Sequence, residues 1–263
     1  MAHDSAQGPP KIQRLLQYTG LSVAIIGVWQ ALFHLGYLNP VLLPPPSRIA
    51  LTFRDLLLSG DLPRHIGISI VRVLEGFGIA TVLGLGLGTA IGLSRTLDRW
   101  TDLIIQVVKP IPPIAWIPLA ILWFGIGEQS KVYIIFLGAF FPIIISTIDG
   151  IRQTDQKFVE VARILAVPRF KFVRQVVLPG ALPAIMTGLR VGLMVAWMCV
   201  VAAELIAASS GIGYLIMDAR QLSQSDVVLV GMISIGVVGK LMDSLIKLLE
   251  KRLISWKVAF AGN

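Results

Sequence analysis

Charge is scarce in this sequence. Of its 263 residues only 14% are charged and 55% are hydrophobic, with a mean hydropathy of +0.79. A water-soluble domain carries roughly 25% charged residues, so a soluble surface is excluded and the chain reads as an integral membrane protein. Cysteine is nearly absent too. The single Cys199 lies in an apolar run, which excludes an internal disulfide and a thiolate metal site and leaves a small buried hydrophobe. His34 and His65 sit near the ends of apolar runs with no second histidine or carboxylate at ligand spacing, so no metal is expected. No G-x-x-x-x-G-K-[ST] loop is present, and the chain therefore lacks the usual cradle for ATP. Serine–histidine and paired-carboxylate constellations are missing as well, which argues against a membrane enzyme. Acidic residues number 15 against 23 basic ones, a net charge of +8. Those cations gather at the ends of apolar runs, where headgroups lie, so lipid and not nucleic acid is the expected partner.

Residues 1–14, MAHDSAQGPPKIQR, have no apolar core and no small-residue cleavage pattern, so no targeting segment is read there. Apolar windows of about 20 residues mark candidate spans near 16–36, 66–93, 103–125, 131–149, 183–206 and 227–248. Six spans place both termini on one side. With the N-terminus inside, fourteen cations fall on inner segments: Lys11, Arg14, Arg95, Arg99, six in the 149–182 loop, Lys247, Lys251, Arg252 and Lys257. Only Arg48, Arg54, Arg64, Lys131 and Arg220 fall outside, so the positive-inside rule puts that loop in the cytoplasm. In the first external segment, Ser47 is expected to cap a short amphipathic helix that runs to about Leu58 and lies on the outer surface.

The loop has its own pattern. Asp155 is placed to cap a helix whose apolar residues Phe158, Val161, Ala162 and Leu165 fall on one stripe, with Glu160 and Arg163 beside it. Pro168 stops that helix. A second short amphipathic piece carries Phe170, Val173 and Val177, and Leu178-Pro179 is expected to end it. A helix, a bend and a helix on a membrane face make a docking surface.

Within the spans, Gly76, Ala80, Gly84, Gly88 and Gly92 recur at every fourth position, a groove for close helix packing. The third span holds Pro110, Pro112, Pro113 and Pro118, which cannot all sit in one regular helix. Freed carbonyls at that depth must be covered or face water, so this segment is a candidate lining for a solute route, with simple kinked packing as the competing reading. The pathway candidates are Pro112, Pro113 and Trp116 here, with Met194 and Trp197 in the fifth span. Among intramembrane charges, Arg72 with Glu75 and Lys240 with Asp243 are spaced to pair locally, and Arg190 is placed to snorkel. Glu204 has no partner nearby in the sequence, and a helix-tethering hydrogen bond is its expected structural role.

VEVARILAVPRFKFVRQVVLPGALP, from Val159 to Pro183, resembles the cytoplasmic EAA loop of binding-protein-dependent ABC importer permeases, the element that inserts into a groove of the partner ATPase. Glu160, Ala162, Leu165, Leu178, Pro179 and Pro183 match that motif. Val161, Ala166 and Pro168 depart from it, Ala166 standing for the usual glycine at a left-handed turn that strains alanine. The LPPPS element ending at Ser47 is also similar to the family's. PPIAWIPLAILWFGIGE, ending at Glu128, resembles permeases for taurine and related sulfonates, and GLRVGLMVAWMCVVAAELIAASSGIGYLIMDAR resembles the nitrate, sulfonate, taurine and bicarbonate branch.

The resemblance implies an all-α membrane protein of the type I importer permease kind, with about six transmembrane helices. It implies a cytoplasmic tail over 1–15, a permease domain over 16–248 with its coupling loop at 150–182, and a second cytoplasmic tail over 249–263. ATPase coupling is expected from Phe158, Glu160, Val161, Ala162, Arg163, Leu165, Ala166, Phe170, Leu178 and Pro179. Expected partners are two ATPase subunits carrying ATP and magnesium, a second copy of the chain and an extracytoplasmic solute-binding protein, in a bacterial inner membrane. This chain itself is expected to bind no cofactor and catalyse nothing. Taurine or an alkanesulfonate is the implied solute, with nitrate, bicarbonate or a thiamine precursor open beside it. An ion-coupled secondary transporter is the rival class; it calls for matching broken helices in two halves, and only one such span is visible.

Overall fold

The computed structural model describes residues 11–254, with side chains from Gly20 onward except Gln156 and Arg163. The expected tails fall partly outside this range, as do Lys257 and the side chain of Arg163. Every regular element among the described residues is helical. In chain order they are α1 (Lys11–His34), α2 (Pro46–Leu58), α3 (Asp61–Leu93), α4 (Arg95–Val108), α5 (Ile117–Phe124) and α6 (Glu128–Arg152). Then come α7 (Gln156–Ile164), α8 (Arg169–Phe172), α9 (Leu178–Ala207), α10 (Ile212–Gln221) and α11 (Ser225–Leu253).

Four of these pieces, α3, α6, the run from α8 through α9, and α11, are long and apolar enough to cross a bilayer. The expected first span is apolar over Gly20–His34 in α1. The third is broken. Helices α4 and α5 meet at 86°, and the four prolines account for it. Pro110 and Pro112 lie in the break. Pro113 opens a 3₁₀ turn (Pro113–Trp116) and Pro118 sits in the first turn of α5, where a missing N–H costs nothing.

Helix α6 is the centre: 61% of its apolar window is buried, against 28% for α3 and 33% for α11. The small-residue stripe on α3 makes this possible. A methyl added at Gly76 would lie 2.6 Å from Ile135 Cγ2, and one at Gly84 2.9 Å from Ile143 Cγ2. Without Cβ atoms the two axes approach closely enough for backbone and side chains to interlock, the main source of helix attraction in lipid. The other side of α6 repeats the device, with Gly138 against Cys199 and Gly188 against Ser146 of the facing helices. Ile134, Ile135, Ala139 and Ile143 are fully enclosed between α3 and α9.

At one end of the bundle Asp98 in α4 pairs with Arg152, just before the 153–168 loop. At the opposite end Arg48 and Thr52 of α2 hold Asp226 of α11, and Ile49 packs with Leu62 and Val230. Ser47 is not the cap of α2. Pro45 precedes the helix, Pro46 fills its first turn, and the Ser47 N–H donates to Gln30 Oε1 at 3.2 Å, stitching α2 to α1.

Candidate functional site

The loop at the Asp98–Arg152 end is built by local rules. The Asp155 carboxylate accepts the Lys157 N–H at 2.9 Å and so caps α7. At the other end of α7 the Val167 N–H donates to the Ala162 carbonyl at 2.9 Å, and Ala166 takes φ +48°. These two features define a Schellman turn, with alanine in the left-handed position where glycine is free of strain. Pro168 then starts α8.

Contrary to expectation, Leu178-Pro179 does not end the second piece. A π turn over Val173–Val177 carries the chain on into α9, and the Leu178 N–H reaches back five residues to the Val173 carbonyl. The wider turn makes room for Pro179, whose ring would clash in a regular α turn. Val173 and Val177 seat this limb on Ile151, Ala181 and Ile185, so the loop stands on the bundle core.

That foundation presents a bare apolar surface. Phe158 is 58% exposed, Val161 51%, Leu165 68% and Phe170 77%. Glu160 and Ala166 are exposed, Ala162 is half-buried, and Leu178 and Pro179 are half-buried at the root. The sequence reading passed over Ile164, the barest of the group at 82%; its signal was the three-residue step from Val161.

The pathway candidates separate. Pro112 is exposed at the break, Pro113 and Trp116 are half-buried, and Met194 is 39% exposed on α9. Trp197 lines no opening: it is 3% exposed, its indole N–H donates to the Ile235 carbonyl at 3.1 Å, and it packs on Gly239 of α11. Tryptophan is large enough to bridge two helices and needs one acceptor, which explains its place in the core.

Arg190 has a partner on another helix. It pairs through Nε with Asp243 of α11, a carboxylate that also takes Lys247 at 2.9 Å and stands 4.0 Å from Lys240. The expected Lys240–Asp243 pair is thus the weakest of three contacts. Arg190, Thr187, Val191, Met194 and Asp243 line an open groove of about 540 Å³ between α9 and α11.

Arg72 does not pair with Glu75 either. It forks onto Glu128, with Nε 2.5 Å and Nη2 2.7 Å from the two oxygens, and its Nη1 donates to Glu204 at 2.7 Å and to the Ser210 carbonyl at 2.7 Å. Glu204, fully buried, also accepts the Gly213 N–H at 2.9 Å and contacts the Ser69 hydroxyl at 2.8 Å. Ser69 in turn accepts the Ile212 N–H, and His65 Nδ1 accepts that of Gly211. One carboxylate therefore ties α3, α9 and the start of α10 together. Gly211, at φ +109°, lies so close that a methyl there would meet Glu204 Oε1 at 2.2 Å. Among the described residues no group of three or more histidine, cysteine or acidic side chains could hold a metal.

Comparison with known proteins places this geometry. The profile of the binding-protein-dependent transport system inner membrane component family matches residues 80–255. The permease protein SsuC of Bacillus subtilis (strain 168), named for transport of aliphatic sulfonates, is 46% identical over 92% of this chain and 88% of its own length. The taurine transport system permease protein TauC of Escherichia coli (strain K12) is 36% identical over 90% of this chain and 88% of its own. In fold, a chain of the MetNI methionine ABC transporter in an inward-facing conformation superposes with a TM-score of 0.66. That match covers 74% of this chain and 97% of the other at 18% identity.

Proposed function

Given that the chain belongs to the family of binding-protein-dependent transport system inner membrane components, we propose that it is the membrane-spanning half of an ATP-driven importer for a small oxyanion, with an alkanesulfonate or taurine as its solute. Two copies form the route. A binding protein delivers solute at the outer end, and two ATPase subunits, which hold ATP and magnesium, grip the 156–178 loops from the cytoplasm. Closure of the ATPases pushes on α7 and rocks the bundles between inward-open and outward-open states.

The observation that carries this reading is the bare stripe of Phe158, Val161, Ile164 and Leu165 on α7. Apolar side chains this exposed outside the long spans call for a partner surface. The Schellman turn and the seating of Val173 and Val177 in the core make the loop stiff enough to transmit force. The relatives' names supply the solute class, and the proline-broken segment and the α9–α11 groove are the route's candidate walls.

The test is reconstitution with the cognate ATPase and binding protein. The wild-type chain is expected to copurify with an ATPase bearing a phosphate loop and to take up labelled ethanesulfonate only with ATP. Leu165→Asp is expected to cut ATPase retention and uptake by about tenfold or more, the loss of roughly one well-buried side chain at an interface. Uptake that persists without any ATPase would sink the proposal in favour of ion-coupled transport.

A further inference from the structure

Arg190 lies seven residues into the expected span 183–206, about 10 Å along the helix axis from its inner edge. Its side chain is 40% exposed at that depth. A guanidinium that open cannot face hydrocarbon; it must face water or another protein surface. It faces the α9–α11 groove, together with Thr187 and Met194 on the same side of α9.

Its chemistry is specific. A guanidinium offers five N–H donors in a planar fork suited to a group with two or three coplanar oxygens. Asp243 engages it through Nε, and through Nη2 only at 3.4 Å, so donor capacity is left over for the groove. Asp243 itself is shared with Lys247, and Lys240 stands at its edge. The carboxylate can therefore release Arg190 without losing its counter-charges. Glu250 lies at the same groove, so the region is not uniformly positive.

Resting on the importer reading above, we infer that Arg190 is an intramembrane contact for the oxyanion head of the solute, with Asp243 as the exchangeable partner that holds the arginine when no solute is there. The anion displaces Asp243 from Arg190, Lys247 keeps Asp243 neutralised, and the pair closes again once the anion has passed. Transient exchange of this kind lets a site bind an anion without trapping it.

Three variants in proteoliposomes test the assignment, read by uptake of labelled ethanesulfonate and by ATPase activity stimulated by loaded binding protein. Arg190→Gln is expected to lower uptake about tenfold or more while the stimulated ATPase persists, because a fork contact is lost on the route and not at the docking loop. Arg190→Lys keeps the charge and the pairing but not the fork, and uptake should still fall severalfold. The swap Arg190→Asp with Asp243→Arg restores the helix–helix pair with the guanidinium on α11; thermal midpoint should recover and uptake should not. Uptake within twofold of wild type in Arg190→Lys, or restored in the swap, would mean a purely structural pair and overturn the assignment. Vesicles with and without phosphatidylglycerol separate the anion's source: Arg190-dependent uptake that requires the anionic lipid would assign the site to a lipid phosphate and overturn it too. If the wild-type complex moves no sulfonate at all, the importer reading itself fails, a distinct result.

Discussion

A carboxylate enclosed in a bundle of helices is tolerated only when donors surround it, and Glu204 has the Ser69 hydroxyl, the Arg72 guanidinium and the Gly213 amide within 2.9 Å. Removing its charge takes one of two carboxylates from Arg72, which is 3% exposed and keeps its fork onto Glu128. Glu204→Gln is therefore expected to destabilise the fold by about 2 kcal/mol, seen as a lowered thermal midpoint in detergent; an unchanged midpoint would deny the tether. At the loop, Ala166 holds a left-handed backbone. Ala166→Gly relieves that strain by about 1 kcal/mol, and slower hydrogen exchange of the α7 amides should report it. These two residues also mark the limits of sequence reading at this scale. Ala166 was legible only through the resemblance, whose motif has a glycine at that position. The partners of Arg72 were not, since helical periodicity sees only three or four residues ahead, while Glu128 and Glu204 lie 56 and 132 residues away.

Packing of α3 on α6 shows what one element can decide. The stripe from Gly76 to Gly92 was readable as a groove because small residues every fourth position have one structural use in lipid. Its partner was not readable, because isoleucines on α6 look like any apolar helix face. With Ile143 Cγ2 at 2.9 Å from the place a Cβ would occupy at Gly84, bulk there must push the helices apart. Gly84→Leu is expected to cost about 2–3 kcal/mol by overpacking and to reduce the yield of folded protein, whereas Gly86→Leu, with nothing within 4 Å, should be tolerated. Equal yields would contradict the close α3–α6 approach. The π turn before α9 escaped the sequence reading for another reason: Pro179 signals a stop, and only the core seating of Val173 and Val177 shows that the chain continues through it.

Across the whole molecule the two ends differ in kind. One is knotted by Glu204 and its donors, and the other carries the bare α7 stripe. The uneven distribution of cations predicts that the α7 end is cytoplasmic, and the single cysteine offers a clean check. In a Cys199→Ser background, Lys171→Cys should react with an impermeant maleimide in inside-out vesicles and not in intact cells. Labelling from outside would reverse the topology and with it the place of every partner.

Biogenesis meets the same ionic knot in time instead of space. Arg72 enters the bilayer with α3, but its two anions follow 56 and 132 residues later, a wait of roughly 3–11 s and 7–26 s at about 5–20 residues synthesised per second. An unpaired arginine in a membrane helix costs roughly 2.5–3.5 kcal/mol at its centre. Until α6 and α9 emerge, the nascent α3 must keep that side chain reaching toward the aqueous face or sheltered by the insertion machinery. The helix that the finished protein ties by charge to α6 and α9 is thus made before either of its anions exists.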